Sequence, residues 1–155
     1  EAGTDAGADR KKVAICFHGY TSQGMSDYIG LSGYYLNRGY AMLLPDARAH
    51  GESEGEYIGF GCLDRKDAFV WINWVIQELG EDVGIVLHGT SMGGATVLMA
   101  SGLELPGQVM CREIYDCCAS PKKILEVEGA AHAESYYKDT ESYERALDEF
   151  FGEIM

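Results

Sequence analysis

Gly84-Ile85-Val86-Leu87-His88-Gly89-Thr90-Ser91-Met92-Gly93, running on into Gly94-Ala95-Thr96-Val97-Leu98-Met99-Ala100, decides how this chain reads. The apolar run from Gly84 to Leu87 has the signature of a buried strand, the glycine-flanked centre that of a sharp turn, and the small and apolar residues after it that of a helix. A G-x-S-x-G turn between strand and helix needs its glycines, because the strained backbone leaves little room for side chains around the serine. Ser91 therefore stands at the tip of the turn as a candidate nucleophile. The competing reading is a serine that only caps the helix behind it. The pentapeptide is common by chance, and the strand before it and helix after it favour the nucleophile.

The same alternation recurs on both sides. Glu1 to Asp9 are small and polar without periodicity, so residues 1–10 are expected to be a mobile lead-in, with a single domain over 11–155. Val13-Ala14-Ile15-Cys16-Phe17 is a continuous apolar run ending at His18-Gly19, as a strand covered on both faces reads. A helical pattern from about Asp27 to Asn37 stops at Gly39, and Tyr40-Ala41-Met42-Leu43-Leu44 is a second strand before Pro45. Ala68, Trp71, Ile72, Val75 and Leu79 fall on one helical face that ends at Gly80. After the serine turn come a helix from Met92 to about Ser101, another from Met110 to Cys118, and a last strand at Ile124-Leu125-Glu126-Val127. A final helix from about Thr140 is expected to bury Tyr143, Leu147, Phe150, Phe151 and Ile154. Such alternation implies an α/β architecture, a mostly parallel sheet with helices on both faces and a site at the carboxyl ends of its strands. His18, Asp46, Ser91 and His132 all follow such ends.

Composition narrows the function classes. The 155 residues are 46% hydrophobic, enough for one core, and carry a net charge of -13 that repels phosphate backbones and anionic lipid surfaces. Nucleic acid is not an expected partner. No apolar run reaches the roughly 18 residues of a membrane span, and no signal peptide is visible. The sequence starts at Glu1 without methionine, which leaves open whether an upstream anchor, signal or cap segment was removed or left out. Five cysteines without C-x-x-C spacing suit a reducing compartment, here the cytoplasm, and give neither a disulfide framework nor a zinc site. Cys16 is expected as buried packing. No E-x-x-H helix, calcium loop or G-x-G-x-x-G fingerprint occurs, so neither metal nor cofactor is expected.

A serine hydroxyl needs a base and oxyanion donors to act as a nucleophile. Four histidines are available. His88 lies on the strand and is read as packing. His18 opens the turn His18-Gly19-Tyr20 and is read as bracing that loop, with the Tyr20 N–H as one oxyanion donor and the Met92 N–H as the other. His132, in the small-residue loop Gly129-Ala130-Ala131-His132-Ala133, is the candidate general base; the bland alternative is an exposed loop histidine. Pro45-Asp46-Ala47-Arg48-Ala49-His50-Gly51-Glu52-Ser53 is dense in polar groups, but Asp46, Arg48 and His50 read as tying down their own loop, with Glu52 and Glu54 solvated.

Taken jointly, His18-Gly19-Tyr20-Thr21-Ser22, the Pro45-to-Ser53 stretch, Gly89-Thr90-Ser91-Met92-Gly93-Gly94 and Gly129-to-Ala133 resemble the α/β-hydrolase superfamily, in its serine-hydrolase branch of prolyl-oligopeptidase-like proteins and small bacterial esterases. The resemblance covers most of Lys12 to Phe151. It implies the α/β-hydrolase fold with Ser91 as nucleophile, His132 as base, and an oxyanion hole from the backbone of Met92 and Tyr20.

One family part is absent. The triad acid of the family falls between nucleophile and histidine, yet Ser91 and His132 are only 41 positions apart, too few for the acid loop, two late strands and a lid. An internal segment is read as absent at a seam near Val109/Met110, with a genuine deletion and an omitted stretch both open. Asp116, Glu134 and Asp139 are substitutes for the acid, none of them where the family has it, so the triad acid stays unassigned. The expected function is hydrolysis of a small-molecule carboxylic ester or acyl substrate through a Ser91 acyl-enzyme, with peptidase and thioesterase chemistry open on the same machinery. The alternative is a catalytically silent α/β-hydrolase-like binding module.

Overall fold

The computed structural model describes residues 11–101 and 123–154, and the chain divides into two compact units, Glu1–Ala100 and Ser101–Met155. Residues 1–10, the Met110-to-Cys118 helix, Asp116 and the Val109/Met110 seam lie outside the described residues.

In the first unit β1 (Lys12–Phe17) runs between β2 (Tyr40–Leu43) and β3 (Gly84–Gly89), giving a sheet of order β2-β1-β3 with both pairings parallel. In register, Val13 faces Ala41 on one side and Ile85 on the other, and Phe17 faces Gly89. The three apolar runs form these strands because β-branched and aromatic side chains fill a two-sided sheet. β1, with partners on both edges, is buried almost throughout. β3, whose partner among the described residues is β1, is only half-buried beyond Gly84.

Alternation along β1 separates two packing layers. Val13, Ile15 and Phe17 join Ala68 and Val75 of α3 (Asp64–Leu79) in a core that Trp71, Ile72, Leu79 and Val97 complete. The expected helical face is thus the one that packs, and Gly80 caps the helix with φ of 100°. Burying each Val or Ile there contributes about 1.5–3 kcal/mol. On the opposite side Cys16 and His88, neighbours in the β1–β3 register, lie under the tyrosines of α1 (Gly24–Tyr28) and α2 (Ser32–Asn37). Tyr35 is fully buried and its hydroxyl meets His88 Nδ1 at 2.8 Å, while the Tyr28 ring stands edge-on to the imidazole. Burial pushes the Cys16 thiol up to about 12 and lowers His88 to about 4, so both are neutral packing groups, as expected.

Three expectations are corrected. The helix expected from Asp27 to Asn37 is two short helices: α1 starts three residues earlier, and the chain breaks at Ile29–Leu31 around Gly30, a poor helix former, before α2 resumes. No strand forms at Ile124–Val127 in the second unit, because a strand exists only where a neighbouring backbone completes its ladder and none does so among the described residues. The final helix, α6 (Thr140–Ile154), begins where expected but has no buried residue. Tyr143, Leu147, Phe150 and Phe151 are half-buried and Ile154 is exposed, since within its own unit the helix meets the short α5 (Ser135–Lys138) and the segment at Lys123–Leu125 rather than a sheet.

Candidate active site

The turn after β3 has the strained geometry its glycines imply. Ser91 sits at φ of 55°, a left-handed conformation that costs a non-glycine residue about 1–2 kcal/mol. The Gly93 N–H donates to the Thr90 carbonyl at 2.8 Å, closing the turn beneath Ser91, and the Ala95 N–H donates to the Ser91 carbonyl at 3.2 Å as α4 (Met92–Ala100) begins. Side chains are excluded on both sides. A Cβ on Gly89 would lie 2.3 Å from the Gly93 carbonyl oxygen, and one on Gly93 would lie 1.9 Å from that of Phe17. The Ser91 side is exposed while Met92 behind it is buried.

Strain follows the carboxyl ends of the strands. Thr21 (φ 56°), Ala49 (φ 59°) and Ser91 lie on the loops that leave β1, β2 and β3. Non-glycine residues in this region persist only where their surroundings hold them, and they concentrate at functional sites.

The loop after β1 is locked from below. His18 is almost fully buried; its Nε2 accepts the Ala47 N–H at 2.9 Å, so the proton rides on Nδ1 and is donated to the Gly19 carbonyl at 2.7 Å. The imidazole therefore braces two loops, as expected from the sequence. Asp27 takes the Gly19 N–H on Oδ2 at 2.7 Å and the Ser22 hydroxyl on Oδ1 at 2.5 Å. Gly19 abuts the serine, since a Cβ there would be 3.3 Å from Ser91 Cβ. Among the described residues the N–H groups of Tyr20 and Met92 meet no acceptor within the protein. Tyr28 ties the strand end to the turn: its hydroxyl donates to the Phe17 carbonyl at 2.9 Å and accepts from Thr90 Oγ1 at 3.1 Å.

The loop after β2 holds itself together as expected. Asp46 accepts the Gly24 N–H at 2.9 Å and the Glu52 N–H at 3.4 Å, and Gly51 has φ of 54° with space for no Cβ, which would fall 2.0 Å from Asp46 Oδ2. Arg48 pairs bidentately with Asp67 at 2.8 and 2.6 Å. His50 accepts the Thr21 N–H on Nε2 at 3.2 Å and donates from Nδ1 to the Arg48 carbonyl, so it too is a brace. Glu52 and Glu54 are exposed. Between this loop and α3 opens a cavity of about 400 Å³ whose wall includes His18, Ala47, Arg48, Asp64, Met92 and Thr96. Among the described residues no group of three or more His, Cys, Asp or Glu is placed to hold a metal ion, and no helix is long and apolar enough to cross a membrane.

His132 belongs to the second unit, exposed in a turn that the Ala130 N–H closes onto Val127 and the Glu134 N–H onto Ala131, with Ala133 at φ of 63°. Two of the substitute acids are engaged locally. Glu134 accepts the Ala131 N–H at 3.1 Å, and Asp139 accepts the Ser142 N–H at 3.0 Å at the start of α6. That backbone bond, followed by the Ser142 side chain, holds the Asp139 carboxyl below its ordinary range.

Two residues outside the sequence expectations shape the site: Asp27 holds the Gly19 N–H, and the Tyr28 hydroxyl joins the Phe17 carbonyl to Thr90 Oγ1. The signal for Asp27 was present: an acid five residues after Ser22, in the first turn of a short helix, is suited to gather loop N–H and hydroxyl donors. Tyr28 offered no local signal, because its partners are distant in sequence.

Comparison with known proteins places the chain. The profile of the X-Pro dipeptidyl-peptidase (S15 family) matches residues 3–139. A multifunctional-autoprocessing repeats-in-toxin protein of Vibrio vulnificus is 31% identical over 91 residues, 58% of this chain and 2% of that protein. The uncharacterized protein YqkD of Bacillus subtilis is 28% identical over 96 residues, 61% of this chain and 30% of that one. A Pyrococcus furiosus esterase superposes with a TM-score of 0.54 at 30% identity, covering 58% of this chain and 37% of the esterase. The chain thus spans well under half the length of these relatives. A profile that runs through both the serine turn and His132, together with the superposition of an esterase on this parallel α/β chain, leads to one assignment: this chain belongs to the X-Pro dipeptidyl-peptidase (S15) family and has the α/β-hydrolase fold.

Proposed function

We propose that the chain is a serine hydrolase acting on carboxylic esters, with Ser91 as nucleophile and His132 as general base. The observation that carries this reading is Ser91 held at φ of 55° between glycines that admit no side chain, at the start of a helix. A scaffold without chemistry gains nothing from that strain. In the first step His132 takes the Ser91 hydroxyl proton as Oγ attacks the ester carbonyl. The oxyanion that forms accepts hydrogen bonds from the Met92 and Tyr20 N–H groups, the former at a helix start where the backbone dipole favours negative charge. The protonated His132 then donates to the departing alcohol, leaving an acyl group on Ser91. Water, deprotonated by His132, releases the acid and restores the serine. The ester class is supported by the Pyrococcus furiosus esterase, and the family's description makes an X-Pro peptide the competing substrate.

Hydrolysis of p-nitrophenyl acetate and of Gly-Pro-p-nitroanilide by the wild type, Ser91→Ala and His132→Ala tests both assignments. Turnover of the ester that both substitutions abolish supports the reading, and turnover confined to the anilide moves the substrate class to peptides. Ester turnover that survives Ser91→Ala refutes it. A silent binding module is the second reading, favoured by the local engagement of Glu134 and Asp139, which leaves both carboxylates holding backbone N–H groups. In that case neither substrate is turned over.

A further inference from the structure

Two large rings stand in solvent on the loops that approach the serine turn and the helix after it. Tyr20 follows Gly19, whose Cα abuts Ser91, and its ring stacks on Phe60 with centroids 5.4 Å apart and planes at 28°; the two are 53% and 57% exposed. The His50 imidazole supports the Tyr20 ring edge-on at 6.3 Å. Phe60 is held there against its own backbone preference. Its φ is 45°, an outlier for a bulky residue, within the turn Gly59-Phe60-Gly61. That turn is built to tight tolerances. The Gly61 N–H donates to the buried Asp64 Oδ2 at 2.7 Å, a Cβ on Gly59 would lie 2.5 Å from the same oxygen, and one on Gly61 would meet Ala95 and Thr96 of α4 at 3.3 Å. The helix that follows Ser91 and the turn that carries Phe60 thus lie close against each other.

Exposing apolar rings and holding one in a left-handed conformation are both unfavourable for folding, and the bond from Gly61 to Asp64 that closes the turn involves no side chain at position 60. We propose that Tyr20 and Phe60 form the specificity surface of the site, on which an aromatic ring close to the scissile carbonyl of an ester packs. This rests on Ser91 being the nucleophile. The chemistry of recognition is ring-on-ring: an offset or edge contact with a pre-stacked pair needs no reorganisation of the protein, and such contacts discriminate by about two- to tenfold over aliphatic groups. Tyr20 contributes its ring here and its N–H to the oxyanion, so ring binding and carbonyl placement are coupled through one residue.

The test measures kcat/KM for phenyl acetate, methyl phenylacetate and methyl acetate with the wild type, Phe60→Ala and Phe60→Tyr. Phe60→Ala is expected to lower kcat/KM for at least one aromatic ester by about two- to tenfold relative to methyl acetate, and Phe60→Tyr, which keeps the stack, restores the aromatic preference. An equal fall for all three esters shows that Phe60 only supports the turn, and no change shows that the ring pair touches no substrate; either overturns the inference. Reaction of Ser91 with a fluorophosphonate separates the two levels. Without labelling and without ester turnover the hydrolase reading itself falls and takes this one with it, whereas labelling with unchanged ester ratios overturns the ring surface alone.

Discussion

Replacing Gly93 by alanine puts the serine turn to a severe test. The added Cβ would stand 1.9 Å from the Phe17 carbonyl oxygen, 2.4 Å from its carbon and 2.8 Å from the His18 carbonyl oxygen. All three are backbone atoms at the end of the central strand, where the Phe17 carbonyl also accepts from Thr90 N–H and the Tyr28 hydroxyl. Reaching even a 3.0 Å contact needs α4 and β1 to part by about 1 Å, which breaks bonds on both sides. Overpacking of a rigid site costs about 1–3 kcal/mol, and each lost hydrogen bond adds about 1 kcal/mol, so a total of about 3–5 kcal/mol is expected. That is a large share of the stability of a small domain and corresponds to a fall in Tm of about 10 °C. Urea unfolding of Gly93→Ala is compared with Gly33→Ala, a helical position with nothing within 4 Å, where alanine stabilises by about 0.5–1 kcal/mol. A Gly93→Ala protein within about 1 kcal/mol of the wild type would refute the close approach of β1 and the turn.

Stability should also fall with acid through His88, whose folded value of about 4 lies below its ordinary 6.5. Above pH 6.5 both states hold it neutral; below that the unfolded chain binds a proton the folded one does not, so up to about 3 kcal/mol is lost progressively down to pH 4 and stays lost beneath it. Urea midpoints from pH 8 to 4 should show this slope, and His88→Asn should flatten it. Arg48→Lys removes the two-pronged bond to Asp67; because both side chains are about a third exposed, the expected loss is under about 1 kcal/mol by thermal melting. Asp46→Ala releases the Gly24 and Glu52 N–H groups, costs about 1–3 kcal/mol, and should raise proteolytic nicking in the loop after β2.

What the sequence made legible was what is written locally. Continuous apolar runs gave β1, β2 and β3, the spacing from Ala68 to Leu79 gave α3, and the glycines around Ser91 gave the turn, because backbone room and periodicity are set within a few residues. The division into α1 and α2 was missed since the pattern from Asp27 to Asn37 keeps its period across Gly30, and only the structure shows the break. Ile124–Val127 has the composition of a strand, but pairing is non-local and composition cannot supply a partner. The braces His18, Asp46, Arg48 and His50 were readable as polar groups in a tight loop, whereas Tyr28 and Phe60 act through contacts with residues 62 and 40 positions away that no local pattern encodes.

Reaction of the chain with a fluorophosphonate, followed by intact-mass measurement, tests the central claim most directly, because only an activated serine reacts rapidly. One adduct, lost in Ser91→Ala and slowed strongly in His132→Ala, is the expected result. A wild-type chain that takes up no label, or a Ser91→Ala chain labelled as fast as the wild type, would contradict Ser91 as the nucleophile.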